Sequence, residues 1–107
     1  MTDQEIHVRH LIGIDPRTEA EPPGLMEQCR LALDRGARAL ARDGYRLEDV
    51  TRIIFLLRDT DGFPSCFPLL REAFGAGRPG TTLRLVTGFD TPGAQIEIEL
   101  VVDPRQG

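Results

Sequence analysis

The segment QIEIELVV near the C-terminus constrains the fold more than any other part of the sequence. Ile96, Ile98 and Leu100 recur at every second position, and Glu97 and Glu99 lie between them. A period of two is typical of a β-strand with one apolar face and one polar face. Because only the apolar face can be buried against helices, the pattern predicts two layers, with the helices on one side of a sheet.

The other elements fit this arrangement. Apolar residues at helical spacing indicate two helices, and apolar or alternating runs indicate three further strands. Pro68 removes a backbone hydrogen bond in the second helix, so we expect a bend or a late helix start there. We therefore predict an α+β domain in which a four-stranded sheet carries both helices on one face and the last two strands form a loose hairpin. The predicted strands span residues 5–14, 46–59, 81–87 and 94–102, and the predicted helices span 25–44 and 62–75.

The segment TTLRLV has the same alternation as QIEIELVV. Leu83 and Leu85 alternate with Thr82 and Arg84. If the last two strands pair as a hairpin, Arg84 lies opposite Glu97 on a polar face of the sheet. That face is either solvated or the lining of a polar interface, and the alternation alone does not decide between the two.

Composition limits the classes of partner. The chain has 107 residues, the size of one domain, with a formal net charge of -4 and a pI near 5.1. Nucleic acids and anionic membranes require a basic surface, so neither is an expected partner. No apolar run approaches the roughly 20 residues of a membrane span, and the start MTDQEIHVRH lacks the apolar core of a signal peptide. We expect a single domain over residues 1–107, located in the cytoplasm.

Rare and absent residue types exclude some chemistry. Lys is absent, so a Schiff-base mechanism has no side-chain amine to use. Cys29 and Cys66 are the only cysteines, and we expect small buried residues rather than a disulfide. His7 and His10 are three positions apart in a predicted strand. We therefore expect them on opposite faces and expect no metal site.

Several short motifs occur in an order that resembles a known family. They lie in the segments DPRT, GLMEQCRLALDRGARALARDGYRLEDVTRIIFLLRDTDGF, AFGAGRPG and QIEIELVV. They include a DP-x-T turn, a glutamine that opens the long helix, a G-x-x-L-E-D-V junction into an apolar strand, an acidic-Gly-Phe opening of the second helix and a terminal I-E-I-E. In this order and spacing the chain resembles the Rid family, also known as YjgF, reactive-intermediate deaminases or L-PSP endoribonuclease-like proteins.

The resemblance implies a fold, an assembly and an activity. The implied fold is chorismate-mutase-like, and the implied assembly is a homotrimer whose sheets form a central barrel. Small-molecule ligands would bind in the three clefts between subunits. The usual activity of the family is hydrolysis of reactive enamines and imines derived from amino acids, and no cofactor is expected.

The chain departs from the family pattern at most of the implied pocket positions. In active members an arginine two residues after the turn proline holds the substrate carboxylate, but Thr81 occupies that place here. Arg9 and His10 replace the Ser-Gly that ends the first strand, and Phe67 replaces a polar residue of the second helix. Only Glu97 is retained.

These comparisons give two candidate catalytic residues. Glu97 is either a proton-transferring carboxylate in a cleft or a salt-bridge partner at the rim of a subunit interface. His10 is either a general acid or base, because histidine changes charge near neutral pH, or an exposed residue at a strand end. Arg84 or Arg9 either replaces the missing arginine or forms ion pairs on a solvated face. The candidate substrate-binding residues are Arg84, Thr81, Thr82, Phe67 and Arg9.

Two classes of function remain open. The first is a Rid-type imine or enamine hydrolase of altered specificity, whose apolar Phe67 favours a larger or more hydrophobic ligand than a small amino-acid derivative. The second is a non-catalytic ligand-binding or interaction trimer that has lost the chemistry. The acidic charge balance disfavours the ribonuclease activity of the older family name.

Overall fold

Four strands and two α-helices form the domain, in the order that the sequence predicts. The computed structural model describes residues 4–15, 17 and 22–106. The predicted DP-x-T turn lies partly outside these residues. The strands are β1 (Ile6–Leu11), β2 (Arg52–Leu57), β3 (Gly80–Leu85) and β4 (Ile96–Val102), and the helices are α1 (Leu25–Ala41) and α2 (Phe67–Phe74). Short 3-10 turns cover Leu47–Asp49, Phe63–Cys66 and Pro104–Gln106.

The strand order is β1-β4-β2-β3, and it overturns the predicted hairpin. β4 pairs antiparallel with both β1 and β2, whereas β3 pairs parallel with β2. The last two strands are therefore not neighbours, because β2 lies between them. The physical reason is burial: β4 has the most completely buried apolar face and takes a central position, while every residue of β3 is exposed and suits the edge. α2 supplies the crossover that a parallel β2–β3 pair requires.

One face of the sheet carries both helices, as predicted. Alternate side chains of β2 and β4 point towards the helices and are no more than 2% exposed. They form one core with buried residues of α1 and α2. The opposite sheet face has no helix on it within the described chain, and we call it the open face. The sheet residues of the core are Ile53, Phe55, Leu57, Ile96, Ile98, Leu100 and Val102.

The helix boundaries follow from prolines and glycines. α2 begins late, as predicted, because a 3-10 turn precedes it and helical geometry starts only at Phe67. Pro68 then lies in the first turn, where a missing N–H costs no helical hydrogen bond. Gly44, with φ of 84°, follows α1 in the left-handed conformation expected of a helix stop. No helix of the described segments is long and apolar enough to cross a membrane.

The two cysteines are buried free thiols, which confirms that they form no disulfide. Burial, with a smaller contribution from the neighbouring Cys66, raises the pKa of the Cys29 thiol to about 12. A thiol with so high a pKa is a poor nucleophile at neutral pH, because the thiolate is the reactive form. Both residues therefore act as small core side chains.

A buried glutamine connects two loops at the start of α1. Gln28 is fully buried, and its Nε2 donates to the carbonyl oxygens of Pro23 and Gly93 at 2.8 Å and 3.0 Å. Its Oε1 accepts from the backbone N–H of Gln95 at 2.8 Å. A Cβ on Gly13 would lie 2.1 Å from the Gln28 carbonyl oxygen, so the chain after β1 also passes directly against this residue. Gln28 thus fixes the segments that follow β1 and precede β4.

Replacing Gln28 with leucine should destabilise the domain substantially. The Gln28→Leu variant keeps the volume but leaves the three backbone groups of Pro23, Gly93 and Gln95 without their partner. Each buried group left unsatisfied costs roughly 1–3 kcal/mol, so we expect a loss of about 3 kcal/mol in the free energy of unfolding in urea. Met26→Leu on the exposed side of α1 is the control and should unfold within about 0.5 kcal/mol of the wild type. Equal urea midpoints for the two variants would contradict this role of Gln28.

Candidate functional site

The open face holds Arg84 and Glu97 in one row across the sheet. Arg84 of β3 pairs with Leu56 of β2, and Leu56 pairs on its other side with Glu97 of β4. The polar alternation of both strands is therefore as predicted, but Arg84 does not lie opposite Glu97. Their backbones are separated by two strand spacings, about 10 Å. The carboxylates of β4 pair instead with residues of β1.

A β-bulge brings His10 to the same face as Glu97. Between its last two pairs with β4, β1 contains one extra residue, at Arg9–His10. His10 has a φ of 62°, in the left-handed region, which costs an L-residue about 1–2 kcal/mol. Its Nδ1 lies 3.3 Å from Oε2 of Glu97, and its side chain is 85% exposed. The two candidate catalytic residues are thus close together, and His10 is open to solvent.

A charged network occupies the neighbouring part of the open face. The Nδ1 of His7 lies 2.8 Å from Oε2 of Glu99, and the Nε of Arg9 donates to the same oxygen at 3.0 Å. Burial raises the pKa of Glu99, but the hydrogen bonds from His7 and Arg9 outweigh it and hold the net pKa below its ordinary value. The expectation that His7 and His10 face opposite sides is therefore wrong, because the extra residue of the bulge changes the alternation between them.

This network favours Glu97 over Glu99 as a proton acceptor. Glu99 is engaged by two donors, whereas the ion-pair partner of Glu97 within the described chain is His10 alone. Arg9 is held by Glu99, so its guanidinium is committed to the sheet. Among the predicted residues of β1, only His10 is therefore free to reach a bound molecule.

A groove lies on the other side of the sheet, between α2 and β3. It has a volume of about 600 Å³. Thr81, which pairs with Ile53 on the helix side, lines one wall, and Phe67 at the start of α2 lines the other. The Phe67 ring packs edge-on against Phe63, with centroids 5.5 Å apart, and Phe63 packs in the same way against Phe55 at 5.0 Å. The groove therefore has an aromatic floor.

Comparison with known proteins gives the family of this fold. No family model and no curated protein matches the chain. Rv2704 of Mycobacterium tuberculosis, a member of the YjgF/YER057c/UK114 family, matches with a TM-score of 0.79 at 27% identity, over 96% of this chain and 81% of that one. The chain shares the fold of this family, also called the Rid family, and is similar to this member in sequence.

Two further solved structures support the fold alone, because their sequences are more distant. RidA from an Antarctic Psychrobacter has a TM-score of 0.82 at 18% identity, over 96% of this chain and 83% of its own. Mmf1 of yeast has a TM-score of 0.81 at 14% identity, over 96% of this chain and 82% of its own. The chorismate-mutase-like architecture predicted from the motifs is thereby confirmed.

The predicted site residues fall into two groups. Thr81 and Phe67 line the groove on the helix side, whereas the other five belong to β1, β3 and β4 and lie on the open face. Thr81 and Thr82 are both candidate substrate-binding residues, but successive strand residues point to opposite faces, so the sheet separates them. The residues of the open-face group are Thr82, Arg84, Glu97, Arg9 and His10.

Sequence reasoning missed two arginines that line the groove. Arg71 projects from α2, and Arg78 precedes the turn proline that leads into β3. Arg78 is three residues before Thr81, so the signal that was available is its position beside the Pro79 turn. Arg71 gave no such signal, because helical spacing does not show that α2 lies beside β3. The described chain has no group of three or more His, Cys, Asp or Glu side chains that could hold a metal ion.

The unusual backbone of His10 predicts an unusual response to glycine. His10→Gly removes the Cβ that makes a positive φ unfavourable and loses only an exposed ion pair, which contributes little. We expect urea unfolding to show this variant equal to the wild type or up to about 1 kcal/mol more stable. His7→Gly is the matched control, because it lies in regular strand and binds Glu99; it should lose about 1 kcal/mol or more. An equal loss in the free energy of unfolding for both variants would contradict the claim that the backbone of His10 is strained.

Proposed function

We propose that this chain binds a reactive small molecule in clefts between subunits and hydrolyses an imine or enamine with altered specificity. The observation that carries the proposal is the groove between α2 and β3. It contains Thr81, the position where the resemblance places the carboxylate-binding arginine, and Phe67, where the resemblance places a polar residue. A concave, mostly apolar site of this size suits a small organic ligand.

Imine hydrolysis needs water at the carbon of the C=N bond and a path for protons. Water adds to that carbon, the nitrogen takes up a proton, and the adduct collapses to a carbonyl compound and ammonia. Glu97 is the carboxylate suited to accept the proton of the attacking water, because Glu99 is already engaged by two donors. His10, 3.3 Å from Glu97, is placed to return a proton to the leaving nitrogen.

A second subunit is part of the proposal, because one chain does not bring these groups together. The groove is lined by no His, Asp or Glu side chain of the described residues. A neighbouring copy that presents its His10 and Glu97 to the groove would complete the site. Edge strand β3 supports such a contact, since Leu83 and Leu85 are 48% and 63% exposed and apolar edge strands rarely remain uncovered.

A non-catalytic ligand-binding or interaction trimer is the second candidate. The observation that favours it is the same apolar lining of the groove, together with threonine at the position of the family arginine. Such a protein would keep the cleft and its affinity for ligands without turnover. An assay with 2-aminoacrylate-type substrates separates the two candidates, because only the hydrolase releases ammonia from them faster than the uncatalysed reaction in water.

The proposal requires a trimer in solution. Sedimentation equilibrium at micromolar concentration should give three times the chain mass of 11.9 kDa. Leu83→Glu and Leu85→Glu should shift the distribution towards the monomer, because a carboxylate on the apolar edge is costly to bury. Asp43→Glu at the exposed end of α1 should sediment as the wild type does. A wild-type monomer at this concentration would overturn the intersubunit site.

Restoring the family arginine should restore turnover. A charge-assisted bidentate contact contributes roughly 1.5–3 kcal/mol, which corresponds to about one to two decades in rate when it acts in the transition state. We therefore expect weak hydrolysis of simple 2-imino acids by the wild type and a rise of about tenfold or more in Thr81→Arg. Thr82→Arg adds the same group on the other face of β3 and should give no rise. Wild-type turnover as fast as that of an arginine-bearing family member would show that threonine at position 81 does not lower the rate of hydrolysis.

A further inference from the structure

Two arginines that line the groove have no side-chain partner among the described residues. Arg71 lies on the α2 wall, and Arg78 lies on the segment that leads into β3. Neither guanidinium takes part in a hydrogen bond or an ion pair with the described residues. Because both guanidiniums line an apolar groove, they favour a ligand that carries a negative charge.

A carboxylate also lies close to the groove. Glu48 lies against Gly75, another lining residue, with its Oε2 3.3 Å from where a Cβ of Gly75 would be. Two lining arginines and this one carboxylate give a formal charge of about +1, which suits a single carboxylate better than a doubly charged phosphate.

The rest of the groove indicates the body of the ligand. Its floor is made of the buried rings of Phe55, Phe63 and Phe74, and Phe67 is 44% exposed at its edge. Covering an exposed ring with an apolar group is favourable by the area removed from water. Aromatic rings also attract other rings in edge-to-face contacts such as those between Phe55, Phe63 and Phe67.

We propose that the groove selects a carboxylate attached to an aromatic or similarly bulky apolar body, with Arg71 and Arg78 holding the carboxylate and Phe67 covering the body. This inference rests on the proposed function only in using the same cleft. It assigns the anion-binding role to two residues other than Arg84 and Arg9. Arg84 lies on the open face of the sheet, and the guanidinium of Arg9 is bound to Glu99.

Isothermal titration calorimetry with three small probes tests the selection. Phenylacetate has both features, acetate has only the carboxylate, and phenethylamine has the ring with a positive charge. We expect the wild type to bind phenylacetate at least about tenfold more tightly than either other probe, a difference of about 1.4 kcal/mol. Equal affinities for acetate and phenylacetate, or no phenylacetate binding at millimolar concentration, would overturn the proposal.

Variants identify the residues that hold the probe. Arg71→Gln and Arg78→Gln should each weaken phenylacetate binding about tenfold, and Phe67→Ser should weaken phenylacetate but not acetate. Arg42→Gln, which removes an exposed arginine at the end of α1, should bind as the wild type does. Wild-type affinity in both groove-arginine variants would overturn the assignment. The assignment would also be overturned if NMR amide signals showed that a segment of a second copy fills the groove without ligand and that phenylacetate does not change these signals.

The outcome is distinguishable from failure of the proposed function, because the probes are not substrates. Selective phenylacetate binding without any imine hydrolysis would support the ligand class and remove only the catalytic step. Imine hydrolysis without selective phenylacetate binding would support the enzyme and remove only this inference.

Discussion

The structure depends on the alternation within β4, which has to bury every second side chain completely while keeping two carboxylates on the other face. Ile96, Ile98 and Leu100 are fully buried, so β4 needs a paired strand on both sides and a helix above it. β1 and β2 provide the pairs, and α1 provides the cover. Gly36 allows this cover to come close, because a Cβ there would lie 2.6 Å from Leu100 Cδ1.

The central position of β4 also divides the chemistry of the molecule. Glu97 and Glu99 cannot turn towards the helix layer without removing the core residues that alternate with them. The acidic and histidine side chains of β1 and β4 therefore lie on the open face, whereas the groove on the helix side is lined by apolar residues, two arginines and Thr81. In a single chain, Glu97 and His10 lie on the opposite side of the sheet from the groove. Under the proposed function, a reaction that uses both would therefore need two copies of the chain.

Sequence reasoning predicted the strands and helix ends, which depend on local periodicity, and missed the strand order, which depends on the topology of the chain. The strands, the late start of α2 at Phe67 and the stop at Gly44 each follow from neighbouring residues, and all were found. The hairpin between β3 and β4 was wrong, because no local pattern says that β2 will lie between them. Arg71 could not be assigned to the groove, because helical spacing alone does not show which strand α2 lies beside. Thr81 and Thr82 could have been separated by strict application of strand alternation.

The bulge in β1 lets the polar side chains of the strand change without moving its core side chains. Val8 and Leu11 both serve the core side, with partners in β4 that are only two residues apart, and the extra residue between them is absorbed on the polar side. Loss or gain of one residue at this point would leave the core contacts of β1 in place while changing the side chain beside Glu97. The end of β1 is therefore a position where a different side chain can be placed beside Glu97 without repacking the interior.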